Sequence, residues 1–185
     1  MCTDGHKVSD HDPPIVTLSL PEPPAPKQTY AETVLADDPA GYWRKGEAPG
    51  SKTLVDSSGH ANNGVYLNGV TLGVPGALTG DPDTAASYDG VNDIGRVPDS
   101  NSLDVGASLT LEGWIKRSST TKSHQMFLKG RNGLQLVVMG AGSGNRVFLR
   151  KANVSTLARS QGGVPADGES HHIVATVDGP GSARI

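Results

Sequence analysis

Two short clusters hold the oxygen-rich side chains that a hard cation wants. Asp56 is followed by Asn62 and Asn63, and Asp89 by Asn92 and Asp93. Calcium takes several oxygens from carboxylates, Asn side chains and backbone carbonyls on tight turns. That makes Asp56, Asn62, Asp89 and Asp93 the candidate metal ligands and calcium the one candidate cofactor. The same residue types also cap turns by bonding to their own backbone. No EF-hand spacing accompanies them, so both readings stand. A second chemistry is stacking, because sugar sites pair an aromatic platform with a few polar side chains. The chain has eight aromatic residues, and Trp114, Tyr66 and Tyr88 are the candidate ligand-binding ones. The competing reading for Trp114, and for Trp43, is packing between sheets.

Catalysis finds little support. His171 and His172 are adjacent, and neighbouring strand residues face opposite sides, so the two rings cannot chelate one metal together. Glycoside cleavage needs two positioned carboxylates, and LTLEGWIKR (109–117) offers only Glu112. AGSGN (141–145) lacks the glycines of a nucleophile elbow, and GAGSG precedes no helix that could cradle a phosphate. Cys2 is the only cysteine, which rules out an intrachain disulfide and a cysteine-based zinc site. No catalytic residue is therefore assigned. Asn153-Val154-Ser155 is a glycosylation sequon with no secretion signal to accompany it.

The elements that would carry these residues are short strands. Gly is 24 and Pro 13 of 185 residues, and aromatics are 4%, a composition of many turns and few large side chains. In LTLEGWIKR, Leu109, Leu111 and Ile115 point to one face, and Thr110, Glu112, Trp114 and Lys116 to the other. MFLKG (126–130), LQLVVM (134–139) and RVFLRK (146–151) predict a three-stranded meander joined by RNG and GAGSGN, which STLARS (155–160) and HHIVATV (171–177) continue. AGYWR (40–44) reads as a first strand. Tyr30 to Ala36 allows a short helical turn ended by Asp37, Asp38 and Pro39. Asn63-Gly64, Asn68-Gly69, Asp89-Gly90, Asn132-Gly133 and Asp178-Gly179 mark expected positive-φ turns. Residues 1–29 are Pro-rich and read as a flexible linker or tail, within which IVTLSL (15–20) could form an edge strand. The net charge of −3 predicts no basic field for nucleic acid or an acidic membrane surface. No stretch reaches the roughly 20 apolar residues of a membrane helix.

Taken in order, AGYWRKGE (40–47), VDSSGHANNGVY (55–66), ASYDGVNDIGRVPDSNSLDV (86–105), LTLEGWIKR and HHIVATVDGPGSARI (171–185) resemble a laminin G-like domain of the concanavalin A-like lectin/glucanase superfamily. The resemblance covers about residues 30–185. It implies an all-β fold, an antiparallel two-sheet jelly-roll sandwich, with closing strands beyond Ile185. The domain would therefore be C-terminally incomplete. Lys45 stands where the family usually has leucine, and Ser170 where an aromatic usually precedes the His-His pair.

The resemblance also implies a function. The expected role is a non-catalytic module that binds a glycan or glycoprotein, with calcium as a candidate aid, within a larger surface, secreted or virion protein. Its expected location is extracellular or virion-associated, with no membrane insertion and with room for further domains of a longer parent chain. The alternative is a structural or adhesion module of a phage tail or cell-surface assembly that binds protein. A remnant of a glycoside hydrolase using Glu112 is a third reading.

Overall fold

The computed structural model describes residues 28–130, 133–151, 155–179 and 182–185. Helix α1 (Tyr30–Ala36) leads into β1 (Thr53–Leu54), β2 (Gly64–Leu67), β3 (Thr71–Pro75), β4 (Thr84–Ser87) and β5 (Ile94–Arg96). There follow β6 (Leu109–Ile115), β7 (His124–Leu128), β8 (Leu134–Val138), β9 (Arg146–Lys151), β10 (Ser155–Gly163), β11 (His171–Val177) and β12 (Ala183–Arg184). Cys2, the 15–20 segment, Asn132 and Asn153 lie outside the described residues.

The larger β region is a sandwich. One sheet runs β10-β9-β8-β7 and the other β12-β11-β6, with every pairing antiparallel. Period-two alternation sends Leu136 and Val138 of β8, Val147 and Leu149 of β9, and Ile173 and Ala175 of β11 into one core. Leu111 and Ile115 of β6 pack against it, as the alternation in LTLEGWI predicts. Each such Leu, Ile or Val contributes about 1.5–3 kcal/mol by leaving water. The expected meander is present as β7-β8-β9, and β10 extends it. A bulge at Met126 separates the pairs Gln125↔Val137 and Phe127↔Leu136.

The smaller region pairs β1-β2-β5 in one sheet and β3-β4 in another. Its core is Leu54, Tyr66 and Leu72, with Trp43 packed alongside. Two expectations fail here. Residues 40–44 form no strand, because the Tyr42 N–H donates to the Asp56 carboxylate instead of a neighbouring strand, and Lys45 turns the chain at φ 64°. Gly64 is not a positive-φ turn residue. It lies in β2, where a Cβ would come 2.4 Å from the Arg96 carbonyl oxygen, so glycine is needed for the close approach of β5. Gly69, Gly90 and Gly179 do adopt positive φ. Helix α1 spans the expected residues, and Thr29 and Glu32 close a capping box at its start, satisfying two of the orphan N–H groups. Thr29, read as the end of the linker, is thus part of the folded unit.

Candidate functional site

The outer face of the β12-β11-β6 sheet gathers aromatic side chains on a rigid support. β6 and β11 pair over seven residues, and in that register Trp114 sits directly opposite His172. Cross-strand neighbours on one face touch. The indole and imidazole stack with centroids 4.7 Å apart and planes 19° from parallel. Tyr30, the first residue of α1, meets Trp114 edge-on at 6.3 Å and His172 at 6.5 Å. Its hydroxyl accepts a hydrogen bond from the Trp114 Nε1–H at 3.1 Å. Burial raises the Tyr30 pKa, the Trp114 N–H opposes the rise, and Glu112 adds to it.

Glu112 lies on the same face, its Oε2 3.6 Å from His172 Nε2. Trp114 is 38% exposed and Val174, opposite Glu112 on β11, is 39% exposed. The face thus presents a partly exposed indole, stacked on an imidazole and accompanied by a carboxylate, and sugar sites in general combine an apolar surface with a few polar atoms. β6, β11 and β12 contribute a single carboxylate, Glu112, where glycoside cleavage uses two. The two adjacent histidines face opposite ways, as expected. His171 instead meets Asp167 at 3.0 Å.

The other two candidate ligand-binding aromatics sit elsewhere and close to each other. Tyr66 is a correction: it is 6% exposed, a core side chain of β2, and its hydroxyl donates to Glu47 Oε2 at 2.7 Å. Burial, followed by the Glu47 contact, pushes its pKa far up. Tyr88 is half-buried. Burial, then Glu47 and Asp93, push its hydroxyl up to about 12. The Lys45 ammonium lies 5.1 Å from the Tyr88 ring centroid, a cation–π contact that favours the charged lysine at this position. Burial lowers the Lys45 pKa and Glu47 opposes the shift. Trp43 packs on the smaller core and donates its Nε1–H to the Asn62 carbonyl at 2.9 Å.

The candidate metal ligands are occupied by the chain itself. Asp56 Oδ1 accepts from Tyr42 N and Ser58 N, and Oδ2 from Ser58 Oγ and Asn62 N, at 2.8–3.0 Å. Those four bonds use the lone-pair positions of a carboxylate. Burial alone would raise the Asp56 pKa, but the donated hydrogen bonds outweigh it and hold it below the usual range. The Asn62 side chain bonds Ala40 O and Ser102 Oγ. Asp89 Oδ1 accepts from the N–H groups of Val91, Asn92 and Asp93, and Asp93 Oδ2 from that of Asp89. Among the described residues no three His, Cys, Asp or Glu side chains converge on a metal position. Calcium asks for roughly six to eight oxygens. In this arrangement Asp56 and Asn62 do not fit that set, and Asp89 with Asp93 falls well short of it.

The stacked Trp114–His172 pair was not foreseen. It depends on strand register, and only the facing of each residue could be read from the alternation. No curated protein and no solved structure gives a significant match to the chain. No helix among the described residues is long and apolar enough to cross a membrane. A laminin G family model described as the Concanavalin A-like lectin/glucanases superfamily matches residues 89–185. The phrases at 40–47 and 55–66 lie before the matched span. That span holds both sheets of the sandwich, the Trp114–His172 pair and Glu112, and the chain belongs to the Concanavalin A-like lectin/glucanases superfamily.

Proposed function

We propose that the chain is a non-catalytic carbohydrate-binding module whose contact face is the outer side of β6 and β11. The observation that carries this reading is Trp114: a large apolar ring, over a third exposed, held in place by His172 and Tyr30. A side chain already locked by neighbours loses little rotamer freedom on binding, which favours affinity. Glu112 and His172 border the ring and supply hydrogen-bonding atoms for sugar hydroxyls. Family membership supports the reading, since domains of this kind commonly serve as non-catalytic binding modules. The single carboxylate on this face supports recognition over hydrolysis. The proposal includes no calcium requirement, because Asp56 and Asn62 spend their side-chain oxygens on the chain's own donors, and Asp89 with Asp93 offers too few oxygens for the ion.

A glycan array probed with the folded chain, in calcium and in chelator, tests the reading. Binding to neutral oligosaccharides in both buffers is the expected result, and an empty array in both would end it. The rival is a protein-binding face. Val174, exposed opposite Glu112 on the same face, is the observation that favours it, and an empty array with Trp114-dependent capture of a single protein partner would establish it.

A further inference from the structure

No acidic residue occurs between Glu112 and Asp167, yet that stretch holds nine of the chain's 16 Lys and Arg residues. All 19 Asp and Glu residues lie outside it. The overall charge of −3 thus conceals a segregation: +9 over residues 113–166 and −12 over the rest. The basic stretch builds β7 to β10, one whole sheet of the sandwich.

Register places three of these cations on that sheet's outer face. Val147 and Leu149 of β9 enter the core, so Arg146, Phe148 and Arg150 point outward. Arg159 of β10 stands opposite Phe148 and adds a third guanidinium to the face. Two glutamines complete it. Gln135 donates its Nε2–H to Gln125 Oε1 and accepts from Arg150 Nε through its own Oε1. This ladder fixes the Arg150 guanidinium and leaves both its terminal nitrogens without partners among the described residues. Arg146, Arg150 and Arg159 make no ion pair among the described residues either.

We propose that this face is a second site, which binds an acidic polysaccharide carrying carboxylate or sulfate groups. The inference rests on the carbohydrate-binding reading and deepens it by naming a ligand class. A guanidinium with free terminal nitrogens bonds a carboxylate or sulfate in bidentate fashion. Cations on rows two residues apart, about 7 Å along a strand, suit a chain with repeated anions better than a single small ion. The exposed Gln125 amide supplies partners for hydroxyls between those anions, while buried Gln135 holds Arg150 in place. Nucleic acid fits less well. Phe148 is the one aromatic ring on this face, where single-strand binders stack successive bases on several.

The test measures binding of the intact chain to polygalacturonate, to neutral dextran, to dextran sulfate and to single-stranded DNA. Arg150→Gln and Arg159→Gln are compared with wild type, and Arg159→Glu serves as a second variant at an exposed position. Thermal melts confirm that each variant folds. Polygalacturonate and dextran sulfate are expected to bind, more weakly as salt rises. Each Arg→Gln change is expected to weaken that binding about tenfold, the loss of one charge-assisted contact, while Trp114→Ala leaves it unchanged. Failure of both acidic polymers to bind overturns the proposal, and neutral glycans still bound through Trp114 would show that the broader reading survives. Acidic binding indifferent to Arg150 and Arg159 overturns the location. DNA binding as tight as either acidic polysaccharide overturns the ligand class.

Discussion

Replacing Asp56 with alanine should destabilise the smaller β region severely. The carboxylate is 9% exposed and accepts four hydrogen bonds, from Tyr42 N, Ser58 N, Ser58 Oγ and Asn62 N. Ser58 is only half-buried, so its two donors regain water when the carboxylate is removed. Asn62 is 5% exposed and Tyr42 half-buried, so their N–H groups are left largely without partners. Each buried donor left unsatisfied costs about 1–3 kcal/mol. The expected total is therefore about 2–5 kcal/mol, a large share of the roughly 5–15 kcal/mol that holds a domain together. Urea unfolding followed by circular dichroism reads this as a lower midpoint at unchanged slope. Because the folded-state pKa of Asp56 lies below its ordinary 3.8, the stabilisation is fully present above that pH and is lost as pH falls through the folded value. Calcium should leave the melting temperature unmoved, since binding at this carboxylate would have to break those bonds. A loss below about 0.5 kcal/mol, the scatter of ordinary surface substitutions, would refute this role for the Asp56 carboxylate.

Other consequences follow from single contacts. A Cβ at Gly41 would lie 2.3 Å from the Trp43 ring, so Gly41→Ala should displace the indole, break its bond to the Asn62 carbonyl and cost about 1–3 kcal/mol, seen as a lower urea midpoint and a changed Trp43 emission. Burial raises the pKa of Tyr30, Tyr42, Tyr66 and Tyr88 alike above 10.0. Between that pH and the folded values the unfolded chain releases protons that the folded chain retains, so stability should fall as pH rises above 10.0. Tyrosinate absorbance in native and urea-unfolded protein checks this, and coincident titrations would contradict it.

The sandwich was legible because its strands carry the period of two openly. LTLEGWI and HHIVATV each show apolar residues on one face, and the core uses those faces. The short helix at Tyr30 was legible from its ending in Asp37, Asp38 and Pro39, but not its capping residue Thr29, which read as linker. Residues 40–44 were not, because an extended segment becomes a strand only when a neighbour takes its N–H groups, and here a side chain does so. Tyr66 misled for a related reason. In β2 it is buried while Val65 is 44% exposed, an orientation that apolar character alone would not assign. The Asp and Asn clusters have the composition of both a cation site and a turn cap, and only the hydrogen bonds distinguish the two. The basic sheet could be read from residues 113–166, but the net charge averages it away.

If the proposed function is right, Trp114 forms the floor of a sugar site. Calorimetric titration of wild type and Trp114→Ala with the neutral oligosaccharide bound best on the array tests it most directly. A loss of about tenfold or more in affinity is expected for a variant that still melts cooperatively, the usual result of truncating an exposed aromatic anchor. Equal affinity in the two proteins would contradict it.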